Sequence, residues 1–94
     1  MESILEKLKS LKPVIVGRYK VKGIELFGSY VRQEQSAGSD LDVLVDFRED
    51  ADLIDLIGLG QFLEEELHLT VDVVPRRALR PELREAVLQE AQPI

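Results

Sequence analysis

A chain of 94 residues with 45% hydrophobic and 32% charged residues reads as one soluble globular domain spanning 1–94, large enough to bury a modest core. It has no cysteine, which excludes a disulfide framework and a thiolate metal site, and its formal charge of −6 argues against binding nucleic acid by broad phosphate neutralisation. No apolar run approaches a membrane span, and Met1-Glu2-Ser3 lacks the basic and apolar regions of a signal peptide, so a cytoplasmic location is expected.

Ser3 and Glu6 have the spacing of a capping box, and Ile4, Leu8 and Leu11 share a helical face, which predicts an amphipathic helix over 3–12 ending before Pro13. Residues 14–19 carry no decisive period. A strand is expected over Val21–Phe27, then a turn at Gly28-Ser29 and a short helix over 30–35. Strict alternation makes Leu41–Phe47 a strand. Leu53, Leu56, Ile57, Leu63 and Leu67 repeat at helical spacing behind Asp50 and Asp52, which predicts a helix over Leu53–Leu67. Gly58 and Gly60 weaken that helix locally, and close packing would explain them. A short strand over 70–74 follows, and Pro81 opens a last helix with Leu83, Ala86 and Val87 as its apolar stripe. Strands separated by helices give an α/β fold, a small sheet with helices packed on one face and the other face open to substrate.

The chemistry-bearing residues cluster around the strands. Asp40 and Asp42 lie two apart and so project from one face of a strand, while Leu41, Val43, Val45 and Phe47 face the other way. Carboxylates so placed can hold hard cations, and two Mg²⁺ ions can clamp an in-line phosphoryl displacement. Asp72, in Thr70-Val71-Asp72-Val73-Val74, completes the set if its strand lies beside that of Asp40 and Asp42 in register. Gly28 permits a tight turn and close backbone approach, and the Ser29 hydroxyl can donate to a phosphate oxygen. In isolation the two aspartates would read as cap residues at a strand start; the Gly-Ser junction and the third carboxylate favour a metal site.

Together, Leu26-Phe27-Gly28-Ser29-Tyr30-Val31-Arg32, Ser39-Asp40-Leu41-Asp42-Val43-Leu44-Val45 and Val71-Asp72-Val73-Val74 resemble the minimal nucleotidyltransferases of the polymerase-beta-like superfamily. The resemblance is to the MntA-type antitoxins encoded beside HEPN-domain RNase toxins, and it extends to the ending over residues 83–94. It implies a mixed sheet and, in the manner of a type VII antitoxin, Mg²⁺-dependent transfer of AMP from ATP to a hydroxyl of a HEPN toxin, usually a tyrosine. By the same resemblance Gly28 and Ser29 bind phosphates, Asp40 and Asp42 hold both ions, and Asp72 holds the catalytic one. A hetero-oligomer with the toxin is implied, with no direct nucleic-acid or membrane partner. The family often has glycine after the arginine where this chain has Gln33.

Other residues have plainer readings. Arg32 can reach a phosphate or substrate carbonyl from one turn beyond Ser29, or pair with Glu34 or a site aspartate. Tyr30 can stack on a base, but packing of its short helix is simpler. Asp46 lies about 13 Å from Asp42 along an extended strand, too far to share its ions. His68 reads as a helix-end residue. Arg76 and Arg77 can touch the triphosphate or the partner, or simply form a solvent-exposed turn, and Arg80 and Arg84 suit a solvated helix face. Two other functions fit less well: an antitoxin that acts by occlusion alone, and an enzyme that modifies a small hydroxylated molecule.

Overall fold

The computed structural model describes residues 3–32 and 40–94, apart from the side chains of Ser29 and Arg32. The first helix, α1, runs over Ile4–Arg18 with Pro13 inside it. The Ser3 hydroxyl accepts from the Glu6 N–H at 3.1 Å, so the predicted N-cap is made. The predicted stop before Pro13 is not. Proline removes the hydrogen bond to the Lys9 carbonyl and costs a helix interior about 3 kcal/mol against alanine. Leu8 and Ile15, two turns apart, are both fully buried. Ile15 lies beyond the proline, and its burial at about 1.5–3 kcal/mol, with the packing of Tyr19 against the core, offsets the local cost and carries the helix through.

Three longer strands follow as β1 (Val21–Phe27), β2 (Leu41–Phe47) and β3 (Val71–Pro75). A two-residue strand, β4 (Gln92–Pro93), adds to β1 and gives the sheet order β3-β2-β1-β4. β1 pairs antiparallel with β2 and with β4, whereas β2 and β3 are parallel, so the sheet is mixed. The parallel pair needs a crossover, which α3 (Leu53–Leu67) supplies. Asp52 caps α3 in a reciprocal capping box with Asp55.

Ile24 and Leu26 of β1, alternate residues of β2 from Leu41 to Phe47, and Val71 form the core face with Leu8, Ile15, Leu59 and Leu63 of the two long helices. The inward face of α3 is thus Leu56, Leu59 and Leu63, not the predicted set that included Leu53 and Ile57. Those two are 65% and 52% exposed, because the first half of α3 is apolar on nearly every side and the sheet decides which side is covered. Gly58 serves close packing: a Cβ there would stand 3.1 Å from the Tyr19 ring, which itself packs on Phe62.

The last helix, α4 (Pro81–Glu90), begins at the predicted proline, but its expected apolar stripe is not buried. Leu83 is half exposed and Ala86 exposed, and the partly buried residues are Val87, Leu88 and Glu90. Arg84 and Leu88 line one cleft with Asp46 of β2.

Candidate active site

β2 enters the sheet when the Leu41 N–H donates to the Thr70 carbonyl at 2.9 Å, and the ladder then sets Leu41 against Val71 and Asp42 against Asp72. The two aspartates are therefore neighbours across adjacent parallel strands, roughly 4.8 Å apart at the backbone. Core burial of Leu41, Val43 and Val71 turns both carboxylates to the opposite face. Asp40 stands exposed just before β2, two residues from Asp42. Glu64 of α3 fixes the start of β3 by accepting from the Val71 N–H at 2.9 Å.

On the other side of β2, Phe27 is opposite Asp42, so the chain leaves β1 at the carboxylates. Gly28 turns there with φ of 80°, a left-handed conformation that favours glycine. A Cβ at Gly28 would collide with the Asp42 carboxylate, whose Cγ lies 3.1 Å from that point. The turn and the aspartate are thus in van der Waals contact only because residue 28 has no side chain. A four-residue helix, α2 (Ser29–Arg32), follows, its turn closed by the Val31 N–H on the Gly28 carbonyl at 3.1 Å.

A nucleotidyltransferase domain model matches residues 1–94. The chain belongs to the nucleotidyltransferase domain family. It is 40% identical over 90 residues to the protein adenylyltransferase MntA of Thermococcus cleftensis, covering 96% of this chain and 91% of that protein. Among solved structures it is similar to a toxin-antitoxin crystal structure with AMP-PNP, at 28% identity and TM-score 0.79, over 97% of this chain and 72% of that one. A tri-AMPylated Shewanella oneidensis HEPN toxin in complex with MNT antitoxin also matches, at 27% identity and TM-score 0.66, over 95% and 68% of the two chains. The resemblance to MntA-type minimal nucleotidyltransferases is borne out, as are the mixed α/β fold and nucleotidyltransferase activity.

Within this nucleotidyltransferase domain, the backbone brings Gly28, Asp40, Asp42 and Asp72 to one end of the sheet. Among the described residues, no three acidic or histidine side chains converge closely enough to grip a metal ion as they stand. Like charges favour that spread: two carboxylates 4 Å apart repel by about 4 kcal/mol at an effective dielectric of 20. Ser29 opens α2 and Arg32 closes it, but their side chains, and with them the expected phosphate contacts, lie outside the described residues. The same holds for the rest of the predicted 30–35 helix and the loop from Gln33 to Ser39.

Tyr30 packs against the core, the simpler of its two readings. His68 caps α3 in a left-handed conformation, with φ of 57°. Arg76 meets Glu25 at 3.7 Å across the carboxylate face. Sequence reasoning missed Glu90, whose Oε1 accepts from the Gly28 N–H at 2.7 Å. The two are 62 positions apart, and no period or spacing links them.

Proposed function

We propose that this chain, acting as one domain over residues 1–94, is a Mg²⁺-dependent protein adenylyltransferase and antitoxin of the cytoplasm. It moves AMP from ATP onto a hydroxyl, by family resemblance that of a tyrosine, of a cognate HEPN RNase toxin with which it assembles, and so silences the toxin. The observation that carries this reading is the register that sets Asp42 beside Asp72 at the Gly28 turn. The relative named protein adenylyltransferase and the complex with a tri-AMPylated HEPN toxin support it.

The donor set fits the ion. Asp40, Asp42 and Asp72 offer hard carboxylate oxygens, two of them on adjacent paired strands, of the kind Mg²⁺ takes along with substrate phosphates. Asp40 and Asp42 would hold two ions and Asp72 one of them. When bound, the ions neutralise charge on the phosphoryl oxygens and acidify the acceptor hydroxyl. Gly28 and Ser29 bind the phosphates, and Arg32 adds a positive charge near them. Exposed Asp72 faces the incoming acceptor. The acceptor oxygen bonds to the α-phosphorus, the bond to the β-phosphate oxygen breaks, pyrophosphate departs, and the hydroxyl proton passes to solvent. The protein forms no covalent intermediate; positioning and charge stabilisation supply the acceleration.

The test is the intact mass of the HEPN partner after co-expression with the wild type or with Asp40→Asn/Asp42→Asn. A gain of one or more AMP units with the wild type alone is expected. An unmodified partner that co-purifies with both versions would establish occlusion instead.

A further inference from the structure

The Gly28 amide, the backbone donor that the proposed chemistry assigns to a phosphate, already carries an anionic oxygen of the protein itself. Glu90 Oε1 sits 2.7 Å from it, in a partly buried bond between the end of α4 and the turn after β1. We propose that Glu90 is an internal competitor for the phosphate position, bound to Gly28 in the nucleotide-free protein and expelled when the triphosphate arrives. This inference rests on the nucleotide reading of the site.

Three observations support it. First, an N–H has one proton to give, and a carboxylate oxygen and a phosphate oxygen are acceptors of the same charged kind, so full occupancy by one excludes the other. Second, the Gly28 turn already touches the Asp42 carboxylate, so a triphosphate placed there meets two protein carboxylates at one residue. Ions on Asp42 offset one of these charges. Repulsion between the triphosphate and the Glu90 carboxylate favours its departure from the Gly28 amide. Third, that departure needs only side-chain rotation. The α4 end is closed by the Ala91 N–H on the Val87 carbonyl at 2.8 Å, and β4 beyond it is paired to β1 at Glu25 and Leu26. The Ile94 N–H donates to the Ile24 carbonyl at 3.2 Å, and Lys12 Nζ to the main-chain oxygen of Ile94 at 2.9 Å. With the backbone pinned on that side, a partly exposed glutamate can swing its carboxylate to water without unfolding α4. The consequence is a nucleotide affinity set below what the Gly28 turn would otherwise give.

The experiment is calorimetric titration of the full chain with AMP-PNP and Mg²⁺, comparing wild type, Glu90→Gln and Glu90→Asp. Replacing a charged acceptor by a neutral one should tighten binding about five- to tenfold, and the aspartate, one methylene short of the amide, should tighten it too. In the wild type, nucleotide should also move the carboxyl ¹³C resonance of Glu90, a readout that needs no variant. Wild-type binding with unchanged or weaker binding by the variants, or a Glu90 resonance that stays in place, would overturn the competitor and make Glu90 a support of the turn. A wild type that does not bind AMP-PNP would overturn the nucleotide reading itself, and this inference with it.

Discussion

Gly28→Ala tests the geometry of the turn most directly, because it adds one methyl group and nothing else. At φ of 80° an alanine is strained by about 1–2 kcal/mol. The methyl would also meet the Asp42 carboxylate, with Cγ 3.1 Å away and the nearer oxygen in collision, so either the turn opens or the carboxylate rotates off its face. A total loss of about 1–3 kcal/mol is expected, and each kcal/mol lowers the melting temperature of a domain this size by roughly 4–8 °C. Activity should fall further than stability. A displacement of about 1 Å at a reacting centre costs on the order of a hundredfold, and here one change moves both the amide and a carboxylate. The assay pairs thermal melting with the rate of AMP transfer to the HEPN partner. Gly17→Ala in α1 is the matched control, since its added Cβ meets no atom within 4 Å and should stabilise the helix by about 0.5–1 kcal/mol. A Gly28→Ala protein that melts with the wild type and transfers AMP at the wild-type rate would refute the account of the turn.

Asp72→Asn should reduce transfer by at least about a hundredfold while leaving the melting temperature unchanged or slightly raised, because the side chain is exposed and the change removes a charge beside Asp42. Retained transfer in the same mass assay would remove Asp72 from the site. Asp52→Ala removes the acceptor of the Asp55 N–H, leaves the residue-52 N–H on the Asp55 carboxylate, and should cost about 1 kcal/mol by chemical denaturation with no direct effect on nucleotide binding. Pro13→Ala should stabilise α1 by about 1–3 kcal/mol, and a lower denaturation midpoint would show that the helix has adapted to the proline.

What was legible in the sequence follows from where the determining forces act. Leu41–Phe47 announces itself because each of its core-facing residues is apolar; Leu44 breaks the alternation, and at 1% exposure it shows that the face of Asp42 and Asp46 is covered at mid-strand, not open along its whole length as expected. The same alternation in Val71, Asp72 and Val73 tells which face Asp72 takes once β3 is placed. Pro13 misled because the rule against helical proline is local, whereas the burial of Leu8 and Ile15 is tertiary. α4 misled in the opposite way, since its apolar residues invite a buried stripe that its neighbours do not cover. The Glu90 contact and β4 were invisible because each joins segments more than 60 positions apart, one through a single side-chain hydrogen bond and the other through a two-residue ladder. Gly28 was legible as a turn, but its contact with Asp42 required the register of β1 against β2.

The carboxylate pair depends on a match of lengths between β2 and α3. Seven residues of β2 carry the chain about 23 Å from Asp42's end of the sheet, and the fifteen residues of α3 bring it back about 22 Å. β3 therefore starts at the end where β2 started and runs parallel to it, which sets Asp72 against Asp42. A hairpin over the same span would reverse β3 and set Asp72 opposite Leu44, about 8 Å from Asp42 at the backbone. A slip of one residue in the parallel register would be worse, because the alternation would put Asp72 into the core and Val71 or Val73 on the open face. The buried pair of Leu41 and Val71 opposes that slip at the first rung of the ladder. The apolar residues beside the aspartates thus hold the acidic ones in place.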